Sequence, residues 1–113
     1  MRRYQLLFEG RRIAEVVQTD EDFPNLSGRY ELSVPVEELP GLLPAYIAYS
    51  LEATRLLLED EKAYEALEER TGNAFTALIE SEAWRLVDEQ GKEHKVLVPE
   101  FCPDQEIVWR WSI

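Results

Sequence analysis

The hydrophobic period changes twice along this chain, and that change limits the possible folds more than any other feature. Residues 4–8 (YQLLF), 12–19 (RIAEVVQT) and 29–34 (RYELSV) read as strands, with Tyr30, Leu32 and Val34 alternating onto one face. Glu9-Gly10-Arg11 places a glycine between the first two runs, where a hairpin needs positive φ. Residues 20–28 gather turn formers and are expected to be a loop. From Pro44 the spacing becomes helical. Leu43, Ile47, Leu51 and Leu58 form one row, and Tyr46, Tyr49, Ala53, Leu56 and Leu57 widen it. Only Ser50, Glu52, Arg55 and Glu59 are left for water, so the helix is expected to be buried on most sides. Glu59-Asp60-Glu61 either caps a second helix or forms the exposed turn of one helix reaching Arg70, and Thr71-Gly72-Asn73 is the stop.

Alternation then returns, predicting strands over residues 75–80, 83–88, 93–98 and 107–112, with Asp88-Glu89-Gln90-Gly91 as a type I turn with a glycine bulge. The expectation is a single α+β domain over residues 1–113. It has an antiparallel sheet or sheets of about six to seven strands, three N-terminal and four C-terminal, packed against a central helical segment that lies across one sheet face. In the closing run Ile107-Val108-Trp109-Arg110-Trp111-Ser112-Ile113, the two isoleucines and two tryptophans share a face. A face of that size is expected in the core; contact with a partner is the alternative, since Trp and Arg are enriched at interface hot spots.

With 45% hydrophobic residues the chain has the means to fold as a globule. Cys102 is the only cysteine, so an intrachain disulfide or a CxxC pair is impossible. Residues 39–58 are broken by Pro40, Gly41, Pro44 and several polar residues and cannot be a spanning helix, and the N-terminal apolar run is too short for a signal peptide. A cytoplasmic location is the expectation. The formal net charge is -11, and residues 37–72 hold nine acids against three bases. Such a field repels phosphate backbones and anionic lipid and speeds encounter with basic protein surfaces. Direct binding of nucleic acid or membrane is therefore not expected.

Motif-grade chemistry is sparse. Asp20, Asp22 and Glu31 echo a calcium loop, but Pro24 and Asn25 stand where its fifth and sixth positions want an oxygen ligand and a glycine. His94, Cys102 and either Asp88 or Asp104 could be drawn as a nucleophile system, yet nothing in the spacing brings them together. There is no clustered Gly-rich loop, GxSxG or HExxH. The expectation is a non-enzymatic protein with no cofactor and no metal.

The acidic helical segment remains. A solvated face is its plain reading. However, Glu61, Glu65 and Glu69 repeat at like-charge i,i+4 spacing, which costs a few tenths of a kcal/mol per pair and favours a use for the field. Glu59, Asp60, Glu61, Glu65, Glu68 and Glu69 are the candidate contacts for a basic protein partner. Alternatives are a DNA-mimic inhibitor, a small hydrolase or ligand-binding domain, and a homodimer formed through Tyr46, Tyr49 and Leu56.

Trp84-Arg85-Leu86, the Asp88 to Gly91 turn, Pro99-Glu100-Phe101 and Trp109-Arg110-Trp111, with Asp22-Phe23-Pro24 and Gly28-Arg29-Tyr30, give the chain its likeness to a group of proteins. It resembles small uncharacterised bacterial α+β proteins with a C-terminal Trp-Arg-Trp strand. In size and acidity it is also similar to toxin-immunity proteins, which implies an inhibitor or regulator.

Overall fold

The computed structural model describes residues 2–22 and 24–112. Three strands come first: β1 (Arg2–Phe8), β2 (Arg11–Asp22) and β3 (Asn25–Leu32). Helices α1 (Leu43–Glu59), α2 (Glu61–Thr71) and the short α3 (Thr76–Ile79) follow. Four strands close the chain: β4 (Trp84–Val87), β5 (Glu93–Lys95), β6 (Glu100–Cys102) and β7 (Glu106–Trp109). The fold is α+β, as the pattern of periods predicts. All seven strands lie in one antiparallel sheet of order β5-β4-β1-β2-β3-β7-β6.

The sheet curls until the chain beyond its edge strand β5 meets the chain beyond β7, while β6 remains the opposite edge. Val96, just past β5, bridges Trp111, just past β7, and Leu97 N–H and Ser112 N–H donate to Arg110 and Lys95 carbonyls at 3.0 Å each. Closure satisfies an edge that would otherwise present unpaired backbone groups. The enclosed space is filled by inward side chains, among them Leu6, Ile13, Val16, Trp84, Phe101 and Ile107, each 0 or 1% exposed. Trp109 joins them at 3%, Trp111 is half-buried beside Tyr4 and His94, and Ile113 lies outside the described residues. The expected inward face of the last strand is therefore present from Ile107 through Trp111.

Helix α1 packs principally along β6, at the edge of the sheet, where the sequence pointed to a sheet face. Its inward stripe is Leu43, Tyr46, Ile47, Ser50, Ala53 and Leu56, all buried, while Leu57 and Leu58 are exposed. That corrects the expectation of a helix buried on most sides with Ser50 in water. Ser50 is inward because β6 has backbone groups to satisfy: its Oγ accepts from Phe101 N–H at 2.8 Å and donates to Phe101 C=O at 3.0 Å. One turn earlier, the Tyr46 hydroxyl donates to Pro99 C=O at 2.7 Å. The helix thus takes the place of a neighbouring strand. Of the three residues proposed for a homodimer, Tyr46 and Leu56 are buried in this packing, while Tyr49 is half-buried.

Residues 44–71 make two helices. Asp60 breaks them apart: its N–H closes α1 onto Leu56 C=O, and its carboxylate accepts Ala63 N–H at 3.1 Å to cap α2. Gly72, at φ +54, ends α2 as the stop signal predicts.

Three strand expectations shift. Residues 75–80 hold α3 where a strand was expected, because Phe75 and Leu78, three residues apart, are the buried pair, and Leu78 C=O accepts the Trp84 indole N–H at 3.1 Å. The stretch after Pro99, which lies between the strands expected over residues 93–98 and 107–112, contains β6. The loop expected over residues 20–28 is replaced by the long β2–β3 hairpin, in which Asp20, Glu21 and Asp22 pair with Ser27, Leu26 and Asn25; Phe23 lies outside the described residues.

Gly28 sits where β2 and β3 approach closely beside a register shift between Gln18 and Asp20; a Cβ there would lie 2.1 Å from the Val17 carbonyl oxygen. Backbone on both sides cannot yield without opening the ladder. Gly28→Ala is expected to lower unfolding free energy by about 2–3 kcal/mol, read as an earlier urea midpoint with unchanged slope; an unchanged midpoint would show that the hairpin relaxes freely.

Candidate protein-binding face

The six acidic residues singled out by sequence separate into two groups. Glu59 is drawn back to Arg55, whose guanidinium reaches it at 2.8 Å and also holds Glu52. Asp60 is spent on capping α2. Glu68 faces α1, where the Tyr49 hydroxyl donates to its carboxylate. Glu61, Glu65 and Glu69 are exposed along α2, and among the described residues none of the three has an ion-pair partner. The structure therefore brings three of the six into an open row.

Beside that row runs a feature the sequence reading missed. A concavity of about 260 Å³ opens between α1, α2, α3 and the stretch before β6. Buried Tyr46, Ser50 and Ala53 form its floor, and Tyr49, Tyr64, Leu57, Ile79 and Val98 stand around them with Glu100 at the rim. A second groove, which shares Ile79, Val98 and Glu100 with it, adjoins it and reaches Asn25 and Arg110. Leu57, Ile79 and Leu97 are 57, 51 and 48% exposed along these grooves, and Leu58 beside Leu57 is 90% exposed. Exposed apolar side chains gathered beside a groove mark an interaction surface more often than isolated ones do. The available signal was the pair Leu57-Leu58, which lies off the buried stripe once Ser50 is placed inside it.

Negative charge bears on the aromatic groups here. Burial, reinforced by the Glu100 carboxylate, pushes the Tyr46 phenol up from its ordinary value. Tyr49 is raised by burial and by its hydrogen bond to Glu68, and Tyr64 by burial and then by Glu68 and Glu100. All three phenols stay neutral at physiological pH.

The other sequence candidates disperse. Asp20 and Asp22 lie at the far end of β2, whereas Glu31 pairs with Glu15 well down the ladder; among the described residues no His, Cys, Asp and Glu group is arranged to hold a metal ion. His94 does meet Asp88, with Nε2 2.9 Å from Oδ2. Cys102 lies in β6, at the other end of the strand order from β5 with His94, and its thiol is raised by burial and by Glu100, which opposes a reactive thiolate. Asp104 occupies the β6–β7 turn at φ +63. Among the described residues no helix is long and apolar enough to cross a membrane.

Asp88 is held below the usual carboxylate range, first by its hydrogen bond with His94 and then by Lys92 and Gln90 N–H groups, which donate to Oδ1 at 3.0 and 2.9 Å. A carboxyl depressed in the folded state contributes stability above its unfolded value, about pH 4, and loses it as pH falls through the lower folded value. Asp88→Asn is expected to unfold earlier in urea than the parent at pH 6, with the gap closing below about pH 4. A gap that persists unchanged to pH 3 would mean that Asp88 acts through shape alone. No protein-family model, curated protein or solved structure matches this chain, and its function rests on the geometry of its own residues.

Proposed function

We propose that this chain is a non-enzymatic, acidic protein-binding domain that engages a basic partner through α2 and the adjoining groove, in the manner of an immunity-like inhibitor or regulator. The observation that carries this reading is the economy of α2. It contributes no fully buried residue to the core, yet it keeps Glu61, Glu65 and Glu69 in an unpaired row. Self-repulsion in that row costs a few tenths of a kcal/mol per i,i+4 pair, and a cationic surface docking there relieves it. The field accelerates encounter, while the exposed leucines beside it supply apolar area that holds the complex once formed.

The test is affinity capture from host extract at low salt, with two triple variants carrying equal changes of net charge. Glu61→Gln, Glu65→Gln and Glu69→Gln together should abolish capture of a specific basic protein. Glu21→Gln, Glu37→Gln and Glu93→Gln, all exposed and outside α2, should leave it intact. Equal loss in both would reduce the effect to net charge and overturn the assignment of the face. Displacement of the captured protein by duplex DNA would make the domain a DNA mimic, a form compatible with a helical row stepping about 6 Å per four residues.

A further inference from the structure

We propose that the concavity between Tyr49, Tyr64 and Glu100 is the anchor site of that face and receives one cationic side chain, an arginine or a lysine, from the partner. The inference rests on the protein-binding reading above and adds the chemistry of the residue that is bound.

The site combines three features that a long cationic side chain uses together. Tyr49 and Tyr64 supply aromatic surface, whose negative π faces attract a guanidinium or ammonium. Leu57, Ile79 and Val98 supply apolar wall for the methylene stem. Two carboxylates supply the counter-charge: Glu100, which lines the concavity, and Glu68, which stands behind the lining and accepts from the hydroxyl of Tyr49, whose ring does line it. Both bear on the same group, since each raises the Tyr64 phenol. Among the described residues no lysine or arginine lines the concavity, and neither carboxylate has an ion-pair partner.

The floor is closed by buried Tyr46, Ser50 and Ala53, so a side chain enters from one side only. An anion is opposed by both carboxylates. A purely apolar anchor would leave Glu100 partly desolvated with no compensation. The adjoining groove of about 490 Å³, which shares Ile79, Val98 and Glu100 with the concavity and reaches Asn25 and Arg110, gives the residues flanking the anchor a place to lie and favours a protein segment over a free small cation.

The experiment uses the full chain, isotopically labelled and titrated with three blocked tripeptides, Ala-Arg-Ala, Ala-Lys-Ala and the neutral Ala-citrulline-Ala, with amide shifts as the readout. Arginine, lysine or both should saturate shifts at Leu57, Tyr64, Val98 and Glu100, and citrulline should not; which cation binds identifies the head group. Tyr64→Ala and Glu100→Gln should each weaken the cationic peptide about two- to thirty-fold, with Tyr64→Phe close to the parent. Glu100→Gln guards against loss of fold in Tyr64→Ala. The variant neutralised at Glu61, Glu65 and Glu69 should bind the tripeptide within about twofold of the parent, since those residues do not line the concavity. Shifts scattered over the surface, or equal binding of citrulline, would overturn the anchor while leaving the docking face to its own capture test. Saturation in the concavity alongside failed capture would leave the anchor standing and remove the proposed function.

Discussion

A single serine hydroxyl placed between a helix and a strand edge organises this molecule. Short strand β6 pairs with β7 on one side only, and on the other its Phe101 N–H and C=O need partners. Ser50 Oγ provides both at once, at 2.8 and 3.0 Å, while Tyr46 takes Pro99 C=O one turn away. Leaving such buried backbone groups unpaired costs about 1–3 kcal/mol for each. The arrangement therefore fixes where α1 lies along the edge of the sheet and which of its sides faces in. Phe101, 0% exposed, is locked to the same point, so the polar clamp and the apolar core reinforce each other.

The exposed surface follows from that placement. With Tyr46, Ser50, Ala53 and Leu56 inward, Leu57 and Leu58 are carried outward at the end of the helix. Asp60 then turns the chain, and α2 returns against α1 through half-buried Ala63, Tyr64, Leu67 and Glu68. The result separates two kinds of surface: a closed, densely filled strand assembly that supplies rigidity, and a helical pair that supplies charge and exposed apolar groups. Helix α2 contributes no fully buried residue, so a binding function placed there costs the core little.

Much of this was legible in the sequence. The period switch separated strands from helices, Gly10 and Gly91 marked hairpins with positive φ, and Gly72 marked the helix end. The inward side of Ile107 and Trp109 followed from alternation alone. What the sequence concealed depends on distant partners. Ser50 looks like a surface residue until Phe101, 51 positions away, is seen to need it. Strand β6 is only three residues between two prolines, too short for a local pattern, and it exists because β7 and α1 bracket it. Residues 76–79 carry β-formers yet turn helical because Leu78 must reach Trp84. The acidic face was half readable: composition located it, but the engagement of Glu59, Asp60 and Glu68 and the openness of Glu61, Glu65 and Glu69 depend on the fold.

Amide hydrogen exchange at Phe101, compared between the parent and Ser50→Ala, tests the organising role of the clamp most directly. In the parent this amide is expected to open only with global unfolding. In the variant it should lose about 1–3 kcal/mol of protection relative to the amides of Leu6 and Val16 at the centre of the sheet. An amide at Phe101 that exchanges as fast as a frayed strand end in the parent, or that is unchanged by removal of the hydroxyl, would contradict it.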